Sequence, residues 1–331
     1  TLVQLQSDIT SPFPPLDLMV HIGEISAASF NDTIPAKEVW RVSEDGELRD
    51  PFKKLTTVFQ MSEEMFFLHY GKDGCNRHVL IDECRELFGE IYEQIPELPF
   101  CNIWTAMQLS SRLPKGALFH MGVSNTRRCW NMFQLPESVE SACNVGCCGI
   151  DGCVSTLVGA SLVNPDRLCY VVVGDLTFFY DLNSLGNHHI GTNLRVMLVN
   201  NGRGTEFRLG IHHCNVFGDD ADKYMAAAGH FGNKSPLLVK HYAEDLGFHY
   251  LSATTKEEFM TALSNFTNPQ LSDHSMILEV FTDSKDESEA LYLMSHIQSD
   301  AKGMVRSKLK DAVRNVAGEK GINAIKKILK K

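Results

Sequence analysis

The sequence predicts an α/β protein: two Rossmann-like, doubly wound parallel-sheet domains followed by a basic helical tail. Three observations carry this. Apolar runs such as Val171 to Val173 and Leu194 to Val199 break off at Gly174-Asp175 and Asn200-Asn201. That is the pattern of strands buried on both faces. Helix-period segments separate the runs, the alternation that builds parallel sheets. With 331 residues, 44% of them hydrophobic, the chain is large enough for two cores. The expected domains are residues 1–96, 97–295 and a tail at 296–331.

In chain order, Pro12, Pro14 and Pro15 mark residues 1 to 15 as irregular. Strands are expected over Leu16 to Ile22, Glu38 to Val42 and Leu55 to Met61, with Ser62 as N-cap of a helix that opens on Glu63 and Glu64. Residues 77 to 95 form an amphipathic linker helix, its stripe running through Leu80, Cys84, Leu87, Phe88 and Ile91. Pro96 and Pro99 close it and mark the domain boundary. A helix over Phe100 to Leu113 and a strand over Ala117 to Met121 lead into a loop opened by Gly122. Cys143 to Gly152 is a glycine- and cysteine-rich loop feeding a helix through Val154, Leu157 and Val158. The two motif strands follow, separated by a helix-like segment through Leu182 and Leu185. Gly202 to Gly218 is a loop. Helices over Leu237 to Leu246 and Lys256 to Asn265 then alternate with strands over Phe248 to Ser252 and Ser275 to Phe281.

Charge excludes some classes. Residues 302 to 331 hold ten Lys and Arg against Asp311 and Glu319, about +8. The whole chain is −10, so the body is about −18. A nucleic-acid binder carries its basic charge on a folded face with aromatics interleaved, so none is expected here. The tail repeats Val305, Leu309, Val313 and Val316 at helical spacing. It reads as a basic membrane anchor or as a terminal helix docked on its own domain, and docking is favoured. Ten cysteines sit mostly in apolar context, which points to a reducing, cytoplasmic setting. Cys143, Cys147, Cys148 and Cys153 cluster without the paired spacing of a zinc site.

The chemistry lies at the two strand ends. Parallel sheets hold their ligands at the carboxyl ends of strands. Asp175 offers a carboxylate and Asn201 an amide oxygen there, hard ligands suited to Mg2+ or Ca2+. The amides of Leu176 and Thr177, with the Thr177 hydroxyl, are placed to receive a diphosphate. An ordinary sheet with a chance Asp and Asn at its strand ends would look the same.

Gly174-Asp175, residues 177 to 199 and Asn200-Asn201 resemble the cofactor motif of thiamine-diphosphate (ThDP) enzymes. Further stretches narrow the likeness. Asp17 to Glu24 with Arg49-Asp50-Pro51, Gly122-Val123-Ser124 with Arg128, Asn144 to Gly152 and GDLTFFYDLNSL are similar to the last two domains of the menaquinone-pathway carboligases, the 2-succinyl-5-enolpyruvyl-6-hydroxy-3-cyclohexene-1-carboxylate (SEPHCHL) synthases. The resemblance implies ThDP and Mg2+ as cofactors, with Asp175, Asn201 and the Arg203 carbonyl as metal ligands. It implies cofactor contacts from Gly149, Ile150, Gly174, Asp175, Leu176, Thr177, Asn201, Arg203, Gly204 and Phe207. Ile150 would be the wedge that bends the cofactor; on the residues alone it is equally a core isoleucine. Ser124 and Arg128 would line the substrate pocket, Arg128 holding a carboxylate through two parallel bonds. The implied reaction is decarboxylation of a 2-oxoacid, with or without carboligation.

Two departures redirect that expectation. Val145 stands where the family has arginine, and Glu206 precedes Phe207 where it has an apolar residue. Both disfavour a dianionic acceptor such as isochorismate, so a different acceptor is expected, with Glu206 counted among the catalytic positions. His212 and His213 follow the second motif, as acid–base candidates or as ordinary loop histidines. ThDP enzymes also need a pyrimidine-binding domain with a catalytic glutamate. It is expected from a missing N-terminal part or from another chain, as in a heteromeric decarboxylase. The chain alone is then expected to bind cofactor weakly and not turn over. A homodimer or tetramer is implied by resemblance, and a non-catalytic domain pair is the competing class.

Overall fold

The structure, a computed structural model, describes residues 2–6, 16–23, 36–71, 79–146, 148–209, 212–224 and 235–298. It falls into two compact units, one over Thr1–Ile95 with His296–Gln298 and one over Pro96–Ser295. Both are built on wholly parallel sheets flanked by helices, the α/β class expected from the alternation of runs.

The first unit contains α1 (Leu2–Leu5), β1 (Leu16–Ile22), β2 (Ala36–Ser43), β3 (Leu55–Gln60), α2 (Glu63–Tyr70) and α3 (Val79–Glu93). The strands pair in the order β1-β2-β3. Val39 and Val42 of β2 are buried, and so is Arg41. Arg41 is accommodated by Asp45 at 2.8 Å and by the Glu47 carbonyl at 3.1 Å. Ser62 caps α2 as expected, its hydroxyl accepting the Met65 N–H at 3.3 Å. Phe59 of β3 stacks edge-on with Phe66 of α2 at 5.0 Å, fixing the helix to the sheet.

The second unit runs through α4 (Asn102–Ser110), β4 (Leu118–Met121), α5 (Asn125–Trp130), β5 (Glu140–Cys143), α6 (Cys153–Val163), β6 (Cys169–Gly174), α7 (Asp175–Tyr180) and β7 (Leu194–Asn200). It continues with α8 (Leu238–Asp245), β8 (His249–Ala253), α9 (Lys256–Phe266), β9 (Met276–Phe281) and α10 (Ser284–Ser295). The sheet order is β5-β4-β6-β7-β9-β8. The chain leaves β4 toward β5, then returns to the other side of β4 to lay down β6. That reversal is a topological switch point, where open α/β sheets leave a crevice. Val171, Val173, Val196, Leu198 and Ile277 meet Val154, Leu157 and Phe178 in one core. Asn193 donates its side-chain amide to the Ser161, Asn164 and Arg167 carbonyls, anchoring the start of β7.

The segment expected to be helical through Leu185 is divided, α7 ending at Tyr180 and a 3-10 turn covering Leu182–Gly186. The expected loop after β7 contains 3-10 turns at Thr205–Arg208 and His213–Lys223. Asp220 lies within the second of these and pairs with Lys223 at 2.6 Å. Four elements go beyond the sequence reading, namely α1 within the stretch expected to be irregular, whose prolines lie further along at 12, 14 and 15, α5 inside the expected loop, the edge strand β5 and the final helix α10. Among the described residues no helix is long and apolar enough to cross a membrane. The basic stretch 302 to 331 lies outside the described residues.

Candidate functional site

A cavity of about 240 Å3 opens where the carboxyl ends of β4, β6 and β7 meet the loops that follow them. In the β6–β7 register Gly174 lies opposite Val199. Asp175 and Asn201 therefore leave neighbouring strands at nearly the same level. The cavity brings together Ser124, Ile150, Gly174, Asp175, Leu176, Thr177, Asn201, Arg203, Gly204, Glu206 and Phe207. These are residues from four separate stretches of the chain.

Asp175 is 2% exposed, and its Oδ1 accepts the Leu176 N–H at 2.7 Å. The Leu176 amide is thus occupied by the carboxylate beside it. The Asn201 side-chain oxygen faces the Arg203 N–H at 3.4 Å, a long local contact that turns the chain after β7. Two further buried acids stand near Asp175. Burial raises the pKa of Glu279, the bonds from Asn200 and Tyr250 lower it, and the Asp175 charge adds to the rise. Glu287 is pushed up to about 7, chiefly by burial, with Asp286 and Asp175 adding to the shift. Both shifts favour the neutral form of these acids, and neither lines the cavity, so Asp175 is the carboxylate that faces it beside Gly174. Among the described residues no three His, Cys, Asp or Glu side chains gather as a metal group. A metal here would rest on one carboxylate with amide and carbonyl oxygens, a donor set that suits Mg2+ or Ca2+.

Glycine at 174 keeps the cavity open. Its φ of −76° suits any residue, and an added Cβ would meet nothing within 4 Å. The loop carrying Ile150 is braced from both sides. Asn144 donates to the Gly152 carbonyl and to Thr156, while Asp181 accepts the Ser155 N–H at 2.7 Å at the start of α6. Gly149 belongs to this loop but not to the cavity wall. Ser124 and Cys148, both lining the cavity, hold positive φ angles of 59° and 52°. Such non-glycine conformations cost on the order of 1–3 kcal/mol each and collect at functional sites.

Arg128 stands behind Glu206 and makes a bidentate ion pair with it. Nη1 donates to Oε2 at 2.8 Å and Nη2 to Oε1 at 2.7 Å. Burial alone would lower the Arg128 pKa, and the bonds and charge of Glu206 reverse that and raise it. His212 packs edge-on against Phe207 at 5.2 Å, and its Nδ1 accepts the Cys214 N–H at 3.1 Å. The proton of the neutral ring is then on Nε2. The side chain of His213 lies outside those described.

The sequence reading missed Asn102, Asn125, Thr126, Cys148 and Thr205 in the wall. Thr205 had a visible signal, since it lies between two expected site residues in GRGTEF. Asn102, brought in by α4, had none.

No protein-family model matches the sequence. Curated relatives do. The chain is 33% identical over 263 residues to SEPHCHL synthase of Bacteroides fragilis, a match covering 78% of this chain and 45% of the relative. It is 32% identical over 265 residues to the synthase of Phocaeicola vulgatus and 32% over 259 residues to that of Bacteroides thetaiotaomicron, covering 78% of this chain and 44% of each relative. The matched part of this chain belongs to the SEPHCHL synthase family. It spans under half the length of these SEPHCHL synthases.

Proposed function

We propose that this chain supplies the middle and diphosphate-binding domains of a ThDP- and Mg2+-dependent 2-oxoacid carboligase or decarboxylase. One observation carries the reading. Asp175 and Asn201 leave adjacent parallel strands into one cavity that Ile150 also lines. When bound, ThDP would supply the electron sink that lets a 2-oxoacid release CO2, and Mg2+ would offset the charge of its diphosphate.

The residues of the chain do the rest. Asp175, Asn201 and the Arg203 carbonyl would hold the metal through oxygen. Gly174 leaves room for the diphosphate beside Thr177 and Gly204. Ile150 and Phe207 give an apolar wall that excludes water, and Ser124 faces the same space. His212 offers Nε2–H as a proton donor beside Phe207. Glu206, neutralised by Arg128, sets the character of the acceptor side. A dianionic acceptor such as isochorismate finds no free cation in that pair, so the acceptor differs from that of the relatives or is a proton. The pyrimidine end of the cofactor is received by a domain outside these 331 residues, on the same polypeptide or on a partner. The active form is a dimer or tetramer.

Calorimetric titration of ThDP, with Mg2+ and then with EDTA, tests the reading. Mg2+-dependent binding is expected, weakened at least roughly tenfold to a hundredfold in Asp175→Asn. Binding that ignores both the metal and the substitution would end the proposal.

A further inference from the structure

Arg128 is already engaged as a carboxylate receptor. Its guanidinium meets Glu206 in a two-bond fork, and both side chains are mostly buried. Because Glu206 is held in place by the fold, a diffusing carboxylate at millimolar concentration competes poorly for that fork.

Arg203 differs. It lines the same cavity, and among the described residues no acid accepts from its guanidinium. Two positions on, Thr205 is 4% exposed and also lines the cavity. Its hydroxyl is buried and has no hydrogen-bond partner among the described residues. A buried hydroxyl left without a partner is destabilising, and a ligand oxygen removes that penalty. A guanidinium with no acid partner among the described residues and an unsatisfied hydroxyl two positions along the chain are donors that together suit one carboxylate, the hydroxyl giving one bond and the guanidinium up to two.

We infer that Arg203 and Thr205 form the carboxylate subsite for a monocarboxylate 2-oxoacid, with the Arg128–Glu206 pair as a neutral wall that leaves any second carboxylate unpaired. The ligand class rests on the function proposed above. The subsite itself rests on the two side chains and the cavity they share. The Arg203 side chain and its backbone carbonyl have separate tasks, so substituting the side chain leaves the carbonyl available to a metal.

The test uses the full chain with oxamate, an unreactive monocarboxylate shaped like a 2-oxoacid, and with glutarate, a dicarboxylate. Affinities are read by ligand-observed NMR, with and without ThDP and Mg2+. Oxamate binding is expected to weaken at least about tenfold in Arg203→Met. In Thr205→Val it weakens roughly threefold to tenfold without a fall in melting temperature. Glu206→Gln, which frees Arg128, is expected to raise glutarate affinity above that of the wild type. Oxamate affinity in Arg203→Met within twofold of wild type overturns the inference. A larger loss in Arg128→Met/Glu206→Gln than in Arg203→Met also overturns it, because the carboxylate would then sit on Arg128. Failure of the functional reading looks different. ThDP then fails to bind with Mg2+ while oxamate binding still depends on Arg203.

Discussion

Replacing Glu287 by glutamine should make the second unit progressively more stable than the wild type as pH rises. Glu287 is 1% exposed on α10. Its Oε1 accepts the Asn102 N–H and the Thr282 hydroxyl, each at 2.9 Å, and its Oε2 has no partner among the described residues. Burial first, with Asp286 and Asp175 adding, raises its pKa from 4.5 to about 7 against the effect of those two bonds. The folded protein therefore holds this proton more tightly than the unfolded chain. Stability from the protonated group is complete below 4.5 and is lost as pH rises through about 7. Across that interval, at about 1.4 kcal/mol per pH unit, the loss is roughly 3 kcal/mol, of which about 1 kcal/mol falls between pH 6 and 8. Glutamine keeps the Oε1 acceptor and cannot ionise. Urea unfolding at pH 6, 7 and 8, followed by Trp104 and Trp130 fluorescence in a Trp40→Phe background, measures the difference. The gap between Glu287→Gln and the wild type should widen by about 1 kcal/mol over this range. A gap that is flat or narrows with pH would refute the reasoning.

Two further outcomes follow from local geometry. Gly174→Ala places a Cβ in open space at a φ that alanine adopts freely, so stability should hold or rise by about 0.4–1 kcal/mol. Mg2+-dependent ThDP binding, by calorimetry, should nevertheless fall. Ser62→Ala removes the hydroxyl that caps α2 and should cost the first unit about 1 kcal/mol, read by Trp40 fluorescence during urea unfolding.

The two motif strands were legible because β6 and β7 are buried on both faces, and such strands show as unbroken apolar runs ending at Gly174 and Asn200. The fold class followed from the same signal. Strand order did not, since nothing local in β4 says that β6 returns to its far side. The edge strand β5, sequence ESAC, is largely exposed and has no apolar alternation to betray it. Helix α5 is six residues long, and although Ser124 is a capping type it sits at positive φ and makes no side-chain cap bond, so that signal is not the one the helix uses. By contrast α10 did carry a pattern: Glu287, Ala290, Leu291 and Met294 are buried at helical spacing, with an acid in the first buried position that disguises the stripe. In the site, Asp175, Asn201 and Ile150 could be named from spacing and resemblance. The Arg128–Glu206 pair could not, because it joins residues 78 positions apart and cancels two charges that the sequence presents separately.

The bond from the Asn102 amide to Glu287 joins the first helix of its unit to the last, 185 residues apart. It acts as a clasp. The same carboxylate oxygen holds Thr282 at the end of β9 and the N-terminus of α4, and Asn102 in turn accepts the Trp130 indole N–H and lines the cavity. A chain trimmed after β9 would keep all six strands and every candidate metal ligand. It would lose the residue that closes the ring. A piece that preserves this pocket therefore needs α10, a helix outside the cavity wall whose Glu287 fixes one wall of the site.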